Sequence, residues 1–280
     1  MAKTNVMINT CRKLCGYKFP RLGRRLFELF FKMAPQNITC ELFPNIIVKL
    51  NLKDLTMKAT FWQGDRFEFP TAAVLKGWGG EKFFDIGANY GFYSLFMLHK
   101  INKIMVYAFE PNPSTYERLK IIRQNNNLER LQLFHCGLGS QSGQFDLHPG
   151  INDSGHSTFL QHPEFVNNSI GKVNILTFNQ WIDVQEIKLP NHPEWIAKID
   201  VEGMEFDVLL GMQKALEARA FKGIIVEILE HTLNLADHTP EDIYNFMQNV
   251  GYQPLNNKKL TLRYGRINTA NVFFEPMLGS

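Results

Sequence analysis

The sequence predicts an α/β domain built on an open parallel sheet, and three observations carry that reading. From residue 82 onward, short apolar strands alternate with helical stretches, the rhythm of strand–helix–strand units. The first of these strands runs directly into a glycine turn and a helix start. Two later strands finish on carboxylates, Glu110 and Asp200, and strand carboxyl ends are where open parallel sheets hold ligands. Composition agrees. With 280 residues, 45% apolar and 20% charged, the chain is long enough to bury one sizeable core and too apolar to be disordered. Four cysteines, Cys11, Cys15, Cys40 and Cys136, lack any CxxC spacing and exclude a disulfide scaffold. No apolar run approaches the roughly 20 residues that span a bilayer. The N-terminus has no apolar signal segment, so a reducing, cytoplasmic setting is expected.

The first element is a basic head, residues 1–44. Residues 1–33 carry eight basic residues and one acid, a net +7, which leaves −4 for the rest of a chain whose total is +3. A mildly acidic body argues against nucleic-acid binding, which needs a spread basic surface. Within the head, Leu22, Leu26, Leu29, Phe30 and Met33 recur at helical spacing. Such a helix can lie on a membrane surface, giving residues 12–33 a peripheral membrane contact. It can equally pack its apolar face on the main domain or a partner, the commoner use of such a face. Residues 45–75 read next as a hairpin-like entry region, with NIIVKLNL and LTMKATFW as its strands. The body, 45–280, is expected to be one domain.

The next element is the strand–glycine–helix unit. Lys82–Gly87 is a short strand, Gly87-Ala88-Asn89-Tyr90-Gly91 a turn, and Phe92, Leu95, Phe96 and Leu98 mark a helix. Such a junction makes a nucleotide-type cradle. Its D-x-G-x-x-x-G spacing differs from the G-x-G-x-x-G with which dinucleotide enzymes approach a pyrophosphate. Residues 83–98 contain no Lys or Arg to meet a triphosphate. The following strand, Ile104–Glu110, ends in an acid 23 residues after Gly87, near the spacing at which a carboxylate reaches ribose hydroxyls. Asn112-Pro113 then caps and opens a helix.

In the second half, Glu194–Val201 is a buried strand ending in Asp200-Val201-Glu202-Gly203, with an amphipathic helix behind it. Acids there can position a substrate hydroxyl, take its proton, or favour a cation. Glu205 reads as a first-turn acid stabilised by the helix dipole. The strand Ile224–Ile228 carries Glu227, with Glu230 and His231 just beyond it.

Together the runs FFDIGANYGFYS, FEPNP, KIDVEGMEFDVLLG and IIVEI resemble the FkbM-type S-adenosylmethionine-dependent methyltransferases, over roughly residues 60–275. The resemblance implies a Rossmann-like, doubly wound seven-stranded sheet of order 3-2-1-4-5-7-6, last strand antiparallel, preceded by an N-terminal helical/β extension. It implies that Asp85, Gly87, Asn89, Gly91 and Ser94 line the methionine and ribose side of the cofactor. Glu110 holds the ribose, and Pro111 lies against the adenine. The family's third-strand acid is replaced by Ser140, within His135-Cys136-Gly137-Leu138-Gly139-Ser140. The adenine is therefore expected to meet Ser140 and the backbone of Gly137 and Leu138.

The implied reaction is O-methylation of a hydroxyl on a sugar, glycan or natural-product acceptor. Asp200 is the first candidate for base or hydroxyl positioner, with Glu202, His156 and Lys198 behind it. Asp200, Glu202 and Glu227 are also compatible with a divalent cation, because hard cations favour carboxylate oxygens, though nothing in the sequence requires one. Trp62, Trp78, Trp181 and Trp195 are available either to stack on a sugar or to fill the core. Two other readings stay open. One is a cofactor-binding but non-catalytic module attached to a membrane or partner through the basic helix. The other, a nicotinamide oxidoreductase, is disfavoured by the glycine spacing.

Overall fold

A computed structural model describes residues 36–64, 67–149, 157–159, 169–256 and 270–277. The basic helix expected over 12–33 lies outside the described residues, as does His156.

The chain enters through an antiparallel hairpin, β1 (Asn37–Phe43) and β2 (Ile46–Asn51). Buried and exposed residues alternate along both strands up to the register shift at the end of β1, where Leu42 and Phe43 are both buried, so one face is packed and the other solvated. The hairpin thus starts before residue 45 and occupies the end of the segment expected to be a helical head.

A second expectation also fails. LTMKATFW is not a strand but part of helix α1 (Leu55–Gln63), followed by α2 (Phe69–Trp78). The reason is local. Asp54 caps α1 by accepting from the Met57 N–H. Met57, Thr60 and Phe61 are its buried residues, a helical rather than a strand period.

The main sheet follows: β3 (Lys82–Ile86), α3 (Phe92–Lys100), β4 (Met105–Phe109), α4 (Pro113–Asn125) and β5 (Leu131–Phe134). A small three-stranded sheet is inserted next, from β6 (Gly137–Leu138), β7 (Gly143–Asp146) and β8 (Lys172–Leu176). Then come α5 (Phe178–Val184), β9 (Trp195–Ile199), α6 (Glu205–Gly211), α7 (Gln213–Glu217) and β10 (Phe221–Glu227). The chain closes with α8 (Glu230–Leu235), α9 (Pro240–Asn249), β11 (Tyr252–Pro254) and β12 (Asn271–Pro276).

The seven strands lie in the order β5-β4-β3-β9-β10-β12-β11, which is 3-2-1-4-5-7-6 by order along the chain. β12 runs antiparallel to both neighbours, while the β3, β4, β5, β9 and β10 pairings are parallel. The doubly wound sheet is therefore the one expected. Thr239 and Asp242 cap α9 reciprocally, with Pro240 at its first turn.

Two cores flank the sheet. The hairpin, α1–α4 and one sheet face form the first. Asn126 clamps the hairpin to α4, accepting from the Ile47 N–H at 2.7 Å and donating to the Ile47 carbonyl at 2.8 Å. The second core is aromatic and centred on Phe84, whose ring meets Tyr107, Phe178, Trp181, Trp195 and Phe221 at 5.0–6.0 Å. Trp181 and Trp195 are thus core residues, each 1% exposed. Both faces of the central strands are covered, and the open end of the sheet, at the strand carboxyl termini, is left for a ligand.

Candidate active site

Burying an apolar strand against its neighbours on both sides leaves its carboxyl end as the first place where backbone and polar groups can meet solvent. At the end of β3 the chain turns at Gly87 (φ +80°). A Cβ there would lie 1.8 Å from the Asp200 carbonyl oxygen, so only glycine lets the ends of β3 and β9 come together. Asn89 follows, also left-handed at φ 50°. Its N–H donates to Oε2 of Glu110 at 2.7 Å, and the Asn112 N–H donates to Oε1 at 2.8 Å. Glu110 is thereby fixed at the end of β4 with a lone pair left on each oxygen. Burial raises its pKa to about 7.

Asp85 has a different task from the one expected of it. It is 2% exposed, and its Oδ2 accepts from the N–H of Ser94 at 3.0 Å and from its hydroxyl at 2.5 Å. The pair braces strand, turn and helix from behind. Burial pushes Asp85 up to about 6, with the Ser94 donors working against that shift. Gly91 (φ +87°) packs against Leu119.

Across the sheet, Lys198 on β9 is paired in register with Asp85 on β3. Its side chain is 4% exposed, and its ammonium lies 2.5 Å from Oδ2 of Asp200 and 4.8 Å from the centre of the Tyr93 ring. Burial alone would lower its pKa, but Asp200, Glu227 and Asp85 outweigh burial and hold it above the ordinary value. The turn after β9 is closed from inside by Glu205, which accepts from the N–H of Val201 at 2.9 Å and of Gly203 at 3.1 Å. Glu205 is 2% exposed and raised to about 7 by burial. It is the first-turn acid expected, and its burial makes it a brace for the turn as well. Glu227 ends β10 beside Asp200, and its carboxyl is held well above the ordinary range by burial first and by Asp200 second.

Two cavities meet at this edge and share Gly87, Asn89, Asp200 and Glu202. The smaller is lined by Glu110, Pro111, Gly137, Leu138 and Phe159, among others. The larger, about 240 Å³, is lined by Glu68, Tyr90, Tyr93, Lys198, Glu227 and Asn271, among others. That is close to the lower end of small-molecule sites, roughly 300 Å³.

Ten of the residues expected from sequence therefore converge: Gly87, Asn89, Glu110, Pro111, Gly137, Leu138, Lys198, Asp200, Glu202 and Glu227. Asp85, Gly91, Ser94 and Ser140 line neither cavity. The Ser140 hydroxyl instead donates to Oδ1 of Asp207 at 2.6 Å, while Oδ2 of that acid is 3.2 Å from Nε2 of His238. Glu230 and His231 are exposed. Sequence reasoning missed Glu68, Tyr93 and Asn271. Tyr93 was readable as a polar-tipped aromatic beside the glycine turn, and Asn271 as a polar residue opening an apolar strand. Glu68 gave no comparable signal.

The family model described as "Methyltransferase FkbM domain" matches residues 85–254, from the acid of β3 to the end of β11. That is more than half of the chain. The chain belongs to the FkbM methyltransferase family.

Among curated relatives, the FkbM domain is 32% identical over 150 residues to the hexuronic acid methyltransferase AglP of Haloferax volcanii, covering 51% of this chain and 54% of that protein. It is 29% identical over 141 residues to Methyltransferase 1 of Beauveria bassiana, covering 46% and 57%. It is 27% identical over 170 residues to the methyltransferase sdnD of Sordaria araneosa, covering 52% and 65%. The chain thus spans between about half and two thirds of the length of these relatives. Among solved structures, the putative methyltransferase SMU.1697c of Streptococcus mutans, in complex with SAH, aligns with TM-score 0.42 at 14% identity, covering 74% of this chain and 96% of that one.

S-adenosylmethionine is the cofactor of this FkbM domain, and the smaller cavity suits it chemically. Glu110 offers two acceptor oxygens for vicinal ribose hydroxyls. Pro111, Leu138 and Phe159 give apolar surface for a base, and Asp200 with Glu202 sets negative charge where the two cavities join.

Proposed function

We propose that this FkbM protein is an S-adenosylmethionine-dependent methyltransferase that methylates a hydroxyl oxygen on a sugar, glycan or natural-product acceptor. The observation that carries this reading is the position of Asp200, which lines both the cofactor cavity and the larger one beside it. When bound, the cofactor supplies an electrophilic methyl group on a sulfonium. The chain has to hold a hydroxyl in line with it, and alignment of this kind can be worth roughly 7–11 kcal/mol.

Asp200 is the residue placed to orient that hydroxyl and accept its proton. The Lys198 ammonium on its Oδ2 fixes its rotamer. A positioned base contributes about 10²–10⁴-fold. Glu202 shares the junction and stands second. Domain organisation fits the same reading: the FkbM domain carries the smaller cavity and most of the larger one, whose wall is completed by Thr56 from α1, Phe67 and Glu68 from the link between α1 and α2, and Asn271 from β12.

A sugar acceptor is favoured by aromatic surface beside carboxylates. That surface comes from Phe67, Tyr90, Phe92 and Tyr93 around the acceptor cavity, not from the tryptophans. The name of AglP, a hexuronic acid methyltransferase, points to the same substrate class.

The test is calorimetric titration with S-adenosylmethionine and S-adenosylhomocysteine, wild type beside Glu110→Ala, followed by an acceptor screen. Micromolar binding, about −8 kcal/mol, lost in the variant, and turnover of a hydroxyl acceptor abolished in Asp200→Asn with cofactor affinity kept, is the expected result. Equal losses of turnover and cofactor affinity in Asp200→Asn would make Asp200 a binding residue. Binding without turnover on any acceptor would favour a non-catalytic module.

A further inference from the structure

The acceptor cavity holds an arrangement that methyl transfer from a sulfonium does not by itself require. Asp200 at the end of β9, Glu202 in the turn behind it and Glu227 at the end of β10 each offer a carboxylate oxygen. These oxygens all lie within 4.8 Å of one another. Neighbouring parallel strands fix that spacing, since Ile199 pairs with Val226 in the β9–β10 register.

A second, independent observation comes from a different strand. Asn271 opens β12 directly opposite Glu227 in antiparallel register, and it lines the same cavity. Its Nδ2 donates to Oγ1 of Thr71 at 3.2 Å, which orients the amide. Its Oδ1 is buried and has no hydrogen-bond partner, in a residue only 2% exposed. Native structures satisfy nearly all buried polar atoms, and exceptions point to an ion, a water or a functional role.

Charge gives the class of ligand. Four carboxylates, Glu68, Asp200, Glu202 and Glu227, line the cavity, and Lys198 is the only lysine or arginine lining it among the described residues. A lining this rich in acidic oxygen donors disfavours an anionic ligand. The donor set is oxygen only, three carboxylates and one amide carbonyl. That is the choice of hard cations; imidazole and thiolate ligands, which suit zinc and copper, are absent from it.

We propose that Asp200, Glu202, Glu227 and the amide oxygen of Asn271 form a binding site for a hard divalent cation, Mg²⁺ or Mn²⁺, in the acceptor cavity. In the reaction proposed above, such an ion binds the acceptor hydroxyl oxygen and eases loss of its proton. Asp200 then shares that role with the metal. This use of the ion rests on the methyltransferase reading, but the site itself does not.

The test is titration of the full chain with Mn²⁺, followed by the electron paramagnetic resonance signal of the free ion, with Mg²⁺ as competitor. S-adenosylhomocysteine binding is measured in parallel by calorimetry, and circular dichroism checks the fold of each protein. One Mn²⁺ per chain is expected, displaced by Mg²⁺. Its affinity should fall at least tenfold in Glu227→Gln and Glu202→Gln, and severalfold in Asn271→Leu, with S-adenosylhomocysteine affinity unchanged within about twofold in Glu227→Gln and Asn271→Leu, whose residues line only the acceptor cavity. No saturable Mn²⁺ binding by the folded chain, or equal Mn²⁺ affinity in wild type and both glutamine variants, would overturn the site. A chain that binds S-adenosylhomocysteine but not Mn²⁺ overturns the metal proposal alone. One that binds Mn²⁺ but not S-adenosylhomocysteine overturns the cofactor reading alone.

Discussion

The backbone N–H of Asn89 donates to Oε2 of Glu110 at 2.7 Å, tying the glycine turn after β3 to the acidic end of β4. The bond fixes the carboxylate where a ribose would meet it. Burial brings Glu110 to about 7, and accepting two hydroxyls needs the ionised form. S-adenosylhomocysteine affinity should therefore rise about tenfold from pH 6 to pH 8 and stay nearly flat in Glu110→Gln. Calorimetry across that range checks it, and a flat wild-type profile would remove Glu110 as the ribose ligand.

The same shifts have the opposite sign for stability. Glu110, Asp85 and Glu205 have folded-state pKa values of about 7, 6 and 7, above their ordinary values of 4.5, 3.8 and 4.5. The folded chain therefore binds more protons than the unfolded chain between those limits. Their combined contribution should decline as pH rises from about 4 to about 7. Urea unfolding of the cofactor-free chain at pH 5 and pH 7.5 reads this directly. Asp85→Asn should reduce the difference.

Lys198 is the cation against which the carboxylates at the end of β9 are balanced. Replacing it by methionine keeps the stem but leaves Asp200, Glu227 and Asp85 facing one another. Breaking a buried pair by removing one partner costs about 3–5 kcal/mol. Asp200 is 30% exposed, so the lower end of that range is expected. Protonation of the remaining acids relieves the repulsion, so the deficit should shrink as pH falls toward 5. Denaturant titrations at two pH values measure both effects. A deficit independent of pH would mean that lost packing on Tyr93, not charge, sets the cost.

Much of this was legible in the sequence because it lies where short-range chemistry decides. The DIGAN turn, the FEP strand end and the DVEG strand end each need particular residues at fixed spacing, and the structure brings Gly87, Asn89, Glu110, Asp200 and Glu202 together. What was not legible depends on packing. LTMKATFW contains β-branched and aromatic residues that suit a strand, but the Asp54 cap and the packing of Met57 and Phe61 make it a helix. Asp85 and Ser94 belong to the motif, yet they bond to each other behind the turn. Ser140 has Asp207 as its partner, an acid 67 residues away. No local pattern announces a contact at that separation.

Gly87 and Gly91 share a left-handed backbone, at φ +80° and +87°, but not the same surroundings. A Cβ on Gly91 meets Leu119 Cδ1 at 2.5 Å, the end of a flexible side chain, whereas on Gly87 it meets the Asp200 carbonyl oxygen at 1.8 Å. Both alanine variants should lose about 1–2 kcal/mol to backbone strain. Only Gly87→Ala must also push the end of β9 away, so it alone should lose cofactor binding by more than tenfold in a chain that still folds. Thermal melts with and without S-adenosylhomocysteine separate the two: ligand-induced stabilisation should survive in Gly91→Ala and disappear in Gly87→Ala. Equal behaviour would show that the junction of β3 and β9 adapts.

Phe84 tests whether the aromatic core supports the site from below. It is fully buried and is followed directly by Asp85, whose register partner is Lys198. Its ring touches Tyr107, Phe178, Trp181, Trp195 and Phe221, and rigid rings of this size cannot close the space that its loss would leave. Phe84→Ala should therefore cost about 3–5 kcal/mol. Phe84→Leu, which refills most of the volume, should recover more than half of that. Because β3 also carries Gly87, a loosened strand should weaken S-adenosylhomocysteine binding in the alanine variant even at temperatures where it remains folded. Denaturant unfolding beside calorimetry tests the link, and an alanine variant that loses stability but keeps full affinity would show that the turn is held by Asp85, Ser94 and Glu110 without help from the core beneath it.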